Sequence, residues 1–354
     1  MPKISKKKAK EKKVIKKRSG KDGISEILRA VHNKFGKESI RYYGDQSIQQ
    51  VEVIETGSFK LNQALMIGGV PRGRIVEVYG VESSGKTTLC LQILANAQKH
   101  GGTVAFIDVE HSLDPNLCKS VGINMDELVI SQPDSAEEAL GIVEMLSRSS
   151  EFDAIVIDSV SALVPQAEAD GEIGESHIGL QARLMSQALR KLAGVAAKSN
   201  TCIIFINQIR QKIGVMFGPS ETTTGGMALK FYASVRLEIR TKSKLKRGSG
   251  DDAEIVGNKV VIKVVKNKLA PPWKKIETEL IFGRGFNIEG ELIDIGMEAD
   301  IVKRKGSTYY YDKQVLGNGK SKACTTLRDD EGLFSNLLGD IKLAIESGEL
   351  EVWV

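Results

Sequence analysis

No apolar run in the sequence reaches the ~18 residues a membrane-spanning helix needs, so no membrane partner is expected. The first residues are lysine-rich without an apolar stretch behind them, which is not the pattern of a secretory leader. Cysteine is scarce. Cys90, Cys118, Cys202 and Cys324 are scattered, and no pair has metal-ligand or redox spacing. Cys90 and Cys202 lie in apolar runs, which predicts buried thiols in a reducing, cytoplasmic setting. What is present is an ordinary globular composition: 41% hydrophobic residues in 354. That suffices for one large α/β domain and a smaller one.

The net charge of +5 is unevenly spread. Residues 1–21 hold eleven Lys or Arg against one acid, Glu11, so the rest of the chain is net −5. Residues 1–20 can bury nothing and are expected to be disordered, either as a solvated tail or as an electrostatic tether to a polyanion. Ile24, Ile27, Leu28, Val31 and Phe35 then form a helical stripe, a docking face for the chain's own domain or for a neighbour. Residues 49–282 repeat a strand-then-helix rhythm, which predicts a mostly parallel, twisted sheet flanked by helices. The strands expected after the first are Val104–Asp108, Ala154–Asp158, Cys202–Asn207, Val235–Ile239 and Val260–Val265. Their near-continuous apolar runs suit burial on both faces. The charged segment Lys242–Asn258 reads as a surface excursion. Residues 283–354 turn to short mixed elements and a closing helix, Leu333–Ile345, which predicts a small α/β C-terminal domain.

Gly80-Val-Glu82-Ser83-Ser84-Gly85-Lys86-Thr87-Thr88 matches the phosphate-cradling pattern G-x-x-x-x-G-K-[ST] at every fixed position. A strand-like stretch, Arg74–Tyr79, precedes it and a helix-like stretch from Leu89 follows. The glycines let backbone N–H groups turn inward toward phosphate oxygens, and the helix start adds its dipole. Lys86 supplies a charge for the outer phosphates, and the Thr87 hydroxyl suits Mg²⁺. Together these predict binding of a nucleoside triphosphate.

Asp158 ends an apolar strand and is the expected partner of Thr87 at the metal. Glu110, just past Phe106–Asp108, is placed to deprotonate a water, or else it caps the next turn. His111 reads as a structural neighbour. Asn207 and Gln208 close another strand, where an amide could sense a terminal phosphate. The stretch Ile209–Gly226 has no regular period, and the shorter Gly171–Gly179 is similar. Loops of such length are usually functional or disordered. Arg183 and Arg190, seven apart in a helical stretch, share one face, either solvated or holding backbone phosphates. Lys266 and Lys268 leave one face of a strand. They either protect an edge or reach an anion, such as the nucleotide of an adjacent subunit, and spacing does not choose.

From about Gly23 to Leu333 the chain resembles the bacterial RecA recombinase family. The stretches that carry the likeness are Gly80–Thr88, Phe106–His111, Gly171–Ser176, Met185–Gly194, Phe205–Gly218 and, most specifically, Ala228-Leu-Lys-Phe-Tyr-Ala-Ser-Val-Arg236. The resemblance implies a RecA-like P-loop NTPase core and a helical homo-oligomeric filament on single-stranded DNA, which pairs with homologous duplex DNA. It implies ATP with Mg²⁺ at the interface between protomers. Residues 21–48 become the oligomerisation segment. Glu110 becomes the water-activating base. Gln208 couples the γ-phosphate to DNA, and Lys266 with Lys268 reach ATP across the interface. Arg183, Ser186, Arg190, Arg210, Lys212, Ile213, Gly225 and Gly226 become DNA contacts, and Lys230 with Phe231 filament contacts. The family's support of the SOS response implies a partner of the LexA type, a self-cleaving repressor.

Several positions depart from the family pattern. Leu117 stands where many relatives place a tyrosine against the adenine, with Asp114 left for a polar contact. Gln211 and Ile178 replace loop methionines, and Met227 replaces an amide. The sequence stops at Val354 without the acidic tail many relatives carry, so the resemblance implies easier loading on DNA. A ring-forming helicase motor would share Lys86, Asp158 and Glu110. The Ala228–Arg236 stretch and the N-terminal helix favour a filament instead. A P-loop kinase would need an arginine-rich lid, which is absent. A scaffold that ATP merely switches would show low turnover with and without DNA.

Overall fold

The computed structural model describes residues 21–36, 39–40, 42, 51–211, 221–248 and 253–348. The basic tail 1–20, much of 37–50, residues 212–220 with Lys212 and Ile213, residues 249–252 and residues 349–354 lie outside the described residues. Two compact units are present, Met1–Gln50 and Val51–Val354. In the first, helix α1 (Lys21–Phe35) presents the expected stripe, with Ile24, Ile27 and Phe35 exposed.

The second unit is built on one large sheet. Its strands in chain order are β1 (Ile75–Gly80), β2 (Val104–Asp108), β3 (Leu128–Ser131), β4 (Ala154–Asp158), β5 (Cys202–Gln211), β6 (Val235–Arg247), β7 (Glu254–Asn267), β8 (Lys275–Ile281) and β9 (Gly285–Phe286). In space they run β9-β8-β7-β6-β1-β5-β4-β2-β3, with the short strand Glu221–Thr223 paired to β5. The pairs from β6 through β1, β5, β4 and β2 to β3 are parallel. The pairs β6–β7, β7–β8 and β8–β9 are antiparallel.

Side-chain alternation explains the apolar runs. Val76, Val78, Phe106, Val156, Ile204 and Ile206 point to one core, shared with helix α2 (Lys86–Lys99). Ile75, Ile107, Ile155, Ile157, Ile203 and Phe205 point to the other, shared with α3 (Ala136–Ser149) and α4 (Leu180–Ser199). Each such side chain taken fully from water contributes roughly 1.5–3 kcal/mol. A third core joins α5 (Ile288–Glu298), α6 (Lys320–Asp329) and α7 (Glu331–Glu346) to a small antiparallel sheet over residues 302–318.

Two expectations need correction. The segment Lys242–Asn258 is not a loose excursion. Strand β6 extends into it to Arg247 and β7 begins in it at Glu254, paired as an antiparallel ladder with Leu245 opposite Gly257 and Lys244 opposite Asn258. Its charge reflects a solvent-exposed ladder, where no apolar period marks the strands. Nor does Lys266 guard an edge, because β7 lies between β6 and β8. Lys268 stands one residue past the strand's last, Asn267.

Candidate functional site

The parallel strands end together at one side of the sheet, where such folds keep their ligand crevice. Gly80 is the last residue of β1, and the loop from Val81 leads into α2 at Gly85. Gly85 has φ 94°, a left-handed conformation that side-chain-bearing residues rarely adopt, which is why glycine stands there. Glu82 and Ser83 are exposed, while Ser84, Lys86 and Thr88 are buried. The helix start has no side-chain cap, and the buried Ser84 Oγ has no hydrogen-bond partner. Unfilled donors at a helix N-terminus fit phosphate oxygens. Lys86 Nζ donates to Val81 O at 2.8 Å. Burial holds its ammonium below the usual lysine range, against the pull of Asp158 and Glu110. A buried cation so placed has much to gain from an anion.

Thr87 Oγ1 donates to Asp158 Oδ2 at 2.7 Å. Burial pushes the Asp158 carboxyl up to about 6, with the Thr87 bond opposing and Glu110 adding to the rise. The hydroxyl and carboxylate oxygens are hard donors on adjacent elements, which fits Mg²⁺. The Asp158–Ser159 peptide bond is cis.

Glu110 is fixed by its neighbours. The N–H groups of Val109 and Glu110 both donate to Asp158 O, at 2.8 and 3.2 Å. Buried Asp108 pins the following turn, accepting from Ser112 N at 3.0 Å, Leu113 N at 3.2 Å and Gln132 Nε2 at 3.0 Å. The Glu110 carboxylate accepts from Ser159 Oγ, and from Gln208 Nε2 at 3.1 Å. The structure thus joins the predicted base directly to the predicted phosphate sensor. Ser159 was missed because an isolated serine after a strand carries no sequence signal.

A cleft of about 310 Å³ beside the phosphate loop is lined by Thr88, Leu117, Asn258, Leu280, Phe282 and Gly283, among others. Asn258 and the Leu280–Gly283 segment were also missed. They come from β7, β8 and the turn after it, far from the motif in sequence, and apolar residues there read as core. Asp114 caps the helix Pro115–Ser120, its Oδ1 accepting from Asn116 N at 2.8 Å. Leu117 lines the cleft and offers packing without ring stacking. Leu117→Tyr is therefore expected to tighten binding of a nucleotide whose base enters this cleft about two- to tenfold, as an added aromatic stack of roughly 0.5–1.5 kcal/mol implies. Nucleotide titration checks this, with unchanged affinity as the contrary result.

On the far side of β5 the chain presents its cationic helix face. Arg183 and Arg190 are exposed on α4 with Ser186 between them. Gly225 and Gly226, at φ 77° and 78°, pack against this region, where a Cβ would meet Val160 Cγ1 at 2.6 Å and Ala182 Cβ at 2.9 Å. Arg210 lies near the end of β5 and is exposed, one residue before the strand's last, Gln211. Phe231, in the short helix Ala228–Tyr232, is 68% exposed, and Lys230 Nζ donates to Thr222 Oγ1 at 3.1 Å. Lys266 Nζ donates to Lys230 O at 2.7 Å and Phe231 O at 3.0 Å, and Lys268 Nζ to Phe231 O at 3.2 Å. Burial, with repulsion from Lys268 and Arg236, lowers Lys266 to about 8. Among the described residues no helix is long and apolar enough to cross a membrane.

Residues 22–287 match the model of the RecA N-terminal domain, and residues 290–346 that of the RecA C-terminal domain. The chain is 55% identical over 314 residues to Protein RecA of a Nocardioides species, covering 89% of each chain. It is 52% identical over 331 residues to Protein RecA of Oceanobacillus iheyensis, covering 94% of each. It is 53% identical over 331 residues to Protein RecA of Xanthomonas axonopodis pv. citri, covering 93% of this chain and 95% of the relative.

Proposed function

The chain belongs to the RecA family, and on that premise we propose how its own residues carry out DNA-dependent ATP hydrolysis in homologous recombination and repair. The phosphate loop Gly80–Thr88 holds the triphosphate of ATP, with Lys86 on the outer phosphates. Thr87 and Asp158 hold Mg²⁺, which when bound offsets the negative charge that develops on the phosphates. Glu110 orients a water and takes its proton. Gln208, bonded to Glu110 at 3.1 Å, is the observation that carries this reading. It stands at the root of the 209–224 segment, so the state of that segment reaches the base through one side chain.

Arg183, Ser186, Arg190, Arg210, Lys212, Ile213, Gly225 and Gly226 hold the backbone of single-stranded DNA. Contacts to phosphates carry no sequence information, so pairing with a homologous duplex is left to the bases. Lys266 and Lys268 reach the ATP of a neighbouring protomer in a helical filament, with Lys230 and Phe231 at the same interface. In the isolated chain Lys266 donates to the carbonyls of Lys230 and Phe231, and Lys268 to that of Phe231. Exchanging those neutral carbonyls for a charged triphosphate would release the lysines from the Phe231 helix and favour the nucleotide-bound arrangement. ATP then favours the DNA-gripping filament by its higher affinity for that state. Such a filament, in the cytoplasm, also presents a surface for a self-cleaving repressor of the LexA type in the SOS response.

Turnover of ATP measured with and without single-stranded DNA tests the proposal: strong stimulation supports it, and equal rates refute it. The basic tail adds non-specific DNA affinity. Deleting residues 2–20 is expected to weaken binding and to flatten the dependence of log affinity on log salt, since fewer phosphates are neutralised. An unchanged slope in that titration would make the tail a bystander.

A further inference from the structure

Beneath the phosphate loop lies a buried polar cluster that bond cleavage itself does not use. Glu77 sits in the middle of β1 with no exposure, one strand away from Asn207 of β5, also fully buried. A buried carboxylate is costly unless each oxygen is paired. Glu77 Oε1 accepts from Asn207 Nδ2 at 3.0 Å, and Oε2 accepts from Arg236 Nε at 2.5 Å. The Arg236 guanidinium in turn lies 4.7 Å from the Tyr79 ring centre.

Asn207 uses its whole bonding capacity. Its Nδ2 also donates to Thr224 O at 3.2 Å. Its Oδ1 accepts from Gln208 N at 2.8 Å and from Thr224 Oγ1 at 2.5 Å. One anchored amide thus grips both roots of the 209–224 segment, although Thr224 is 17 residues away in sequence. It also grips the backbone of the residue whose side chain touches Glu110.

We propose that Asn207, anchored by Glu77 and Arg236, is a positioning residue that buckles the two roots of the DNA-binding segment together and so sets the reach of Gln208 to Glu110. With the buckle closed, DNA binding is transmitted to Gln208. With it open, the Glu221–Thr223 pairing to β5 still holds the two roots near each other, but Thr224 no longer fixes the amide that positions Gln208, and the coupling to the base is lost. A role limited to satisfying Glu77 makes a different prediction. Thr224 Oγ1 binds the oxygen end of the amide, whereas Glu77 binds the nitrogen end, so removing that hydroxyl leaves the pairs of Glu77 in place.

The inference rests on the DNA-dependent hydrolysis proposed above. Its test uses the full chain, ATP and single-stranded poly(dT), comparing the unaltered protein with Thr224→Val, Thr224→Ala and Thr224→Ser. For Thr224→Val the ratio of kcat with DNA to kcat without is expected to fall about tenfold, as loss of one buried coupling bond implies. The KM for ATP should stay within about twofold, and Tm within about 4 °C. Thr224→Ala, which also lacks the donor, should behave alike. Thr224→Ser, which keeps it, should retain the ratio. An undiminished ratio in Thr224→Val and Thr224→Ala overturns the buckle, and so does a Thr224→Ser that fails as they do. If the unaltered chain shows no stimulation by DNA, the functional reading fails instead.

Discussion

Lys86→Ala is expected to keep its fold and lose ATP hydrolysis by about 10²–10³-fold, the size seen when one preorganised charge-stabilising donor is removed. The fold should survive for a physical reason. The ammonium is buried, its pKa is held down by desolvation, and its hydrogen-bond partner is a carbonyl of the same loop. Removing a cation that is costly to bury leaves the cores on both sides of the sheet untouched, so melting should shift little or upward. Titration with a fluorescent ATP analogue should show the loss at the binding step. Normal turnover in this variant would remove the phosphate loop from the chemistry.

Glu110→Gln is the second large effect. A glutamine can still accept from Ser159 Oγ and Gln208 Nε2 through its amide oxygen, so the local network should persist. The amide cannot take a proton, and general-base catalysis of this kind contributes about 10²–10⁴-fold. Hydrolysis should fall by that factor while ATP and DNA binding remain, leaving long-lived complexes on DNA. Single-turnover hydrolysis by quench flow separates these steps. A burst of product at the unaltered rate would assign the proton transfer to another group.

The phosphate loop was legible because its spacing is itself the chemistry: glycine, lysine and hydroxyl must follow one another along the turn they build. Strands β2, β4 and β5 were legible because burial on both faces leaves runs such as Ala154–Ile157 with no polar interruption. The ends of β5, β6 and β7 were not. There the ladder leaves the core, and Lys242, Lys244 and Lys246 are exposed, so hydropathy cannot distinguish hairpin from loop. The nucleotide cleft was only half visible. Leu280 and Phe282 reach it through sheet order, which the sequence encodes only through pairings far apart in the chain. The same holds for Glu77. Its charge breaks the apolar pattern of β1, yet the partners that make it tolerable come from strands β5 and β6.

The central claim is that ATP between neighbouring copies of this chain tightens their hold on a single strand. Sedimentation of the full chain with a long single-stranded DNA tests it most directly, with a slowly hydrolysed ATP analogue in one sample and ADP in the other. Fast-sedimenting filaments are expected with the analogue, and largely slow, dissociated protein with ADP. Slow protein in both samples would contradict it.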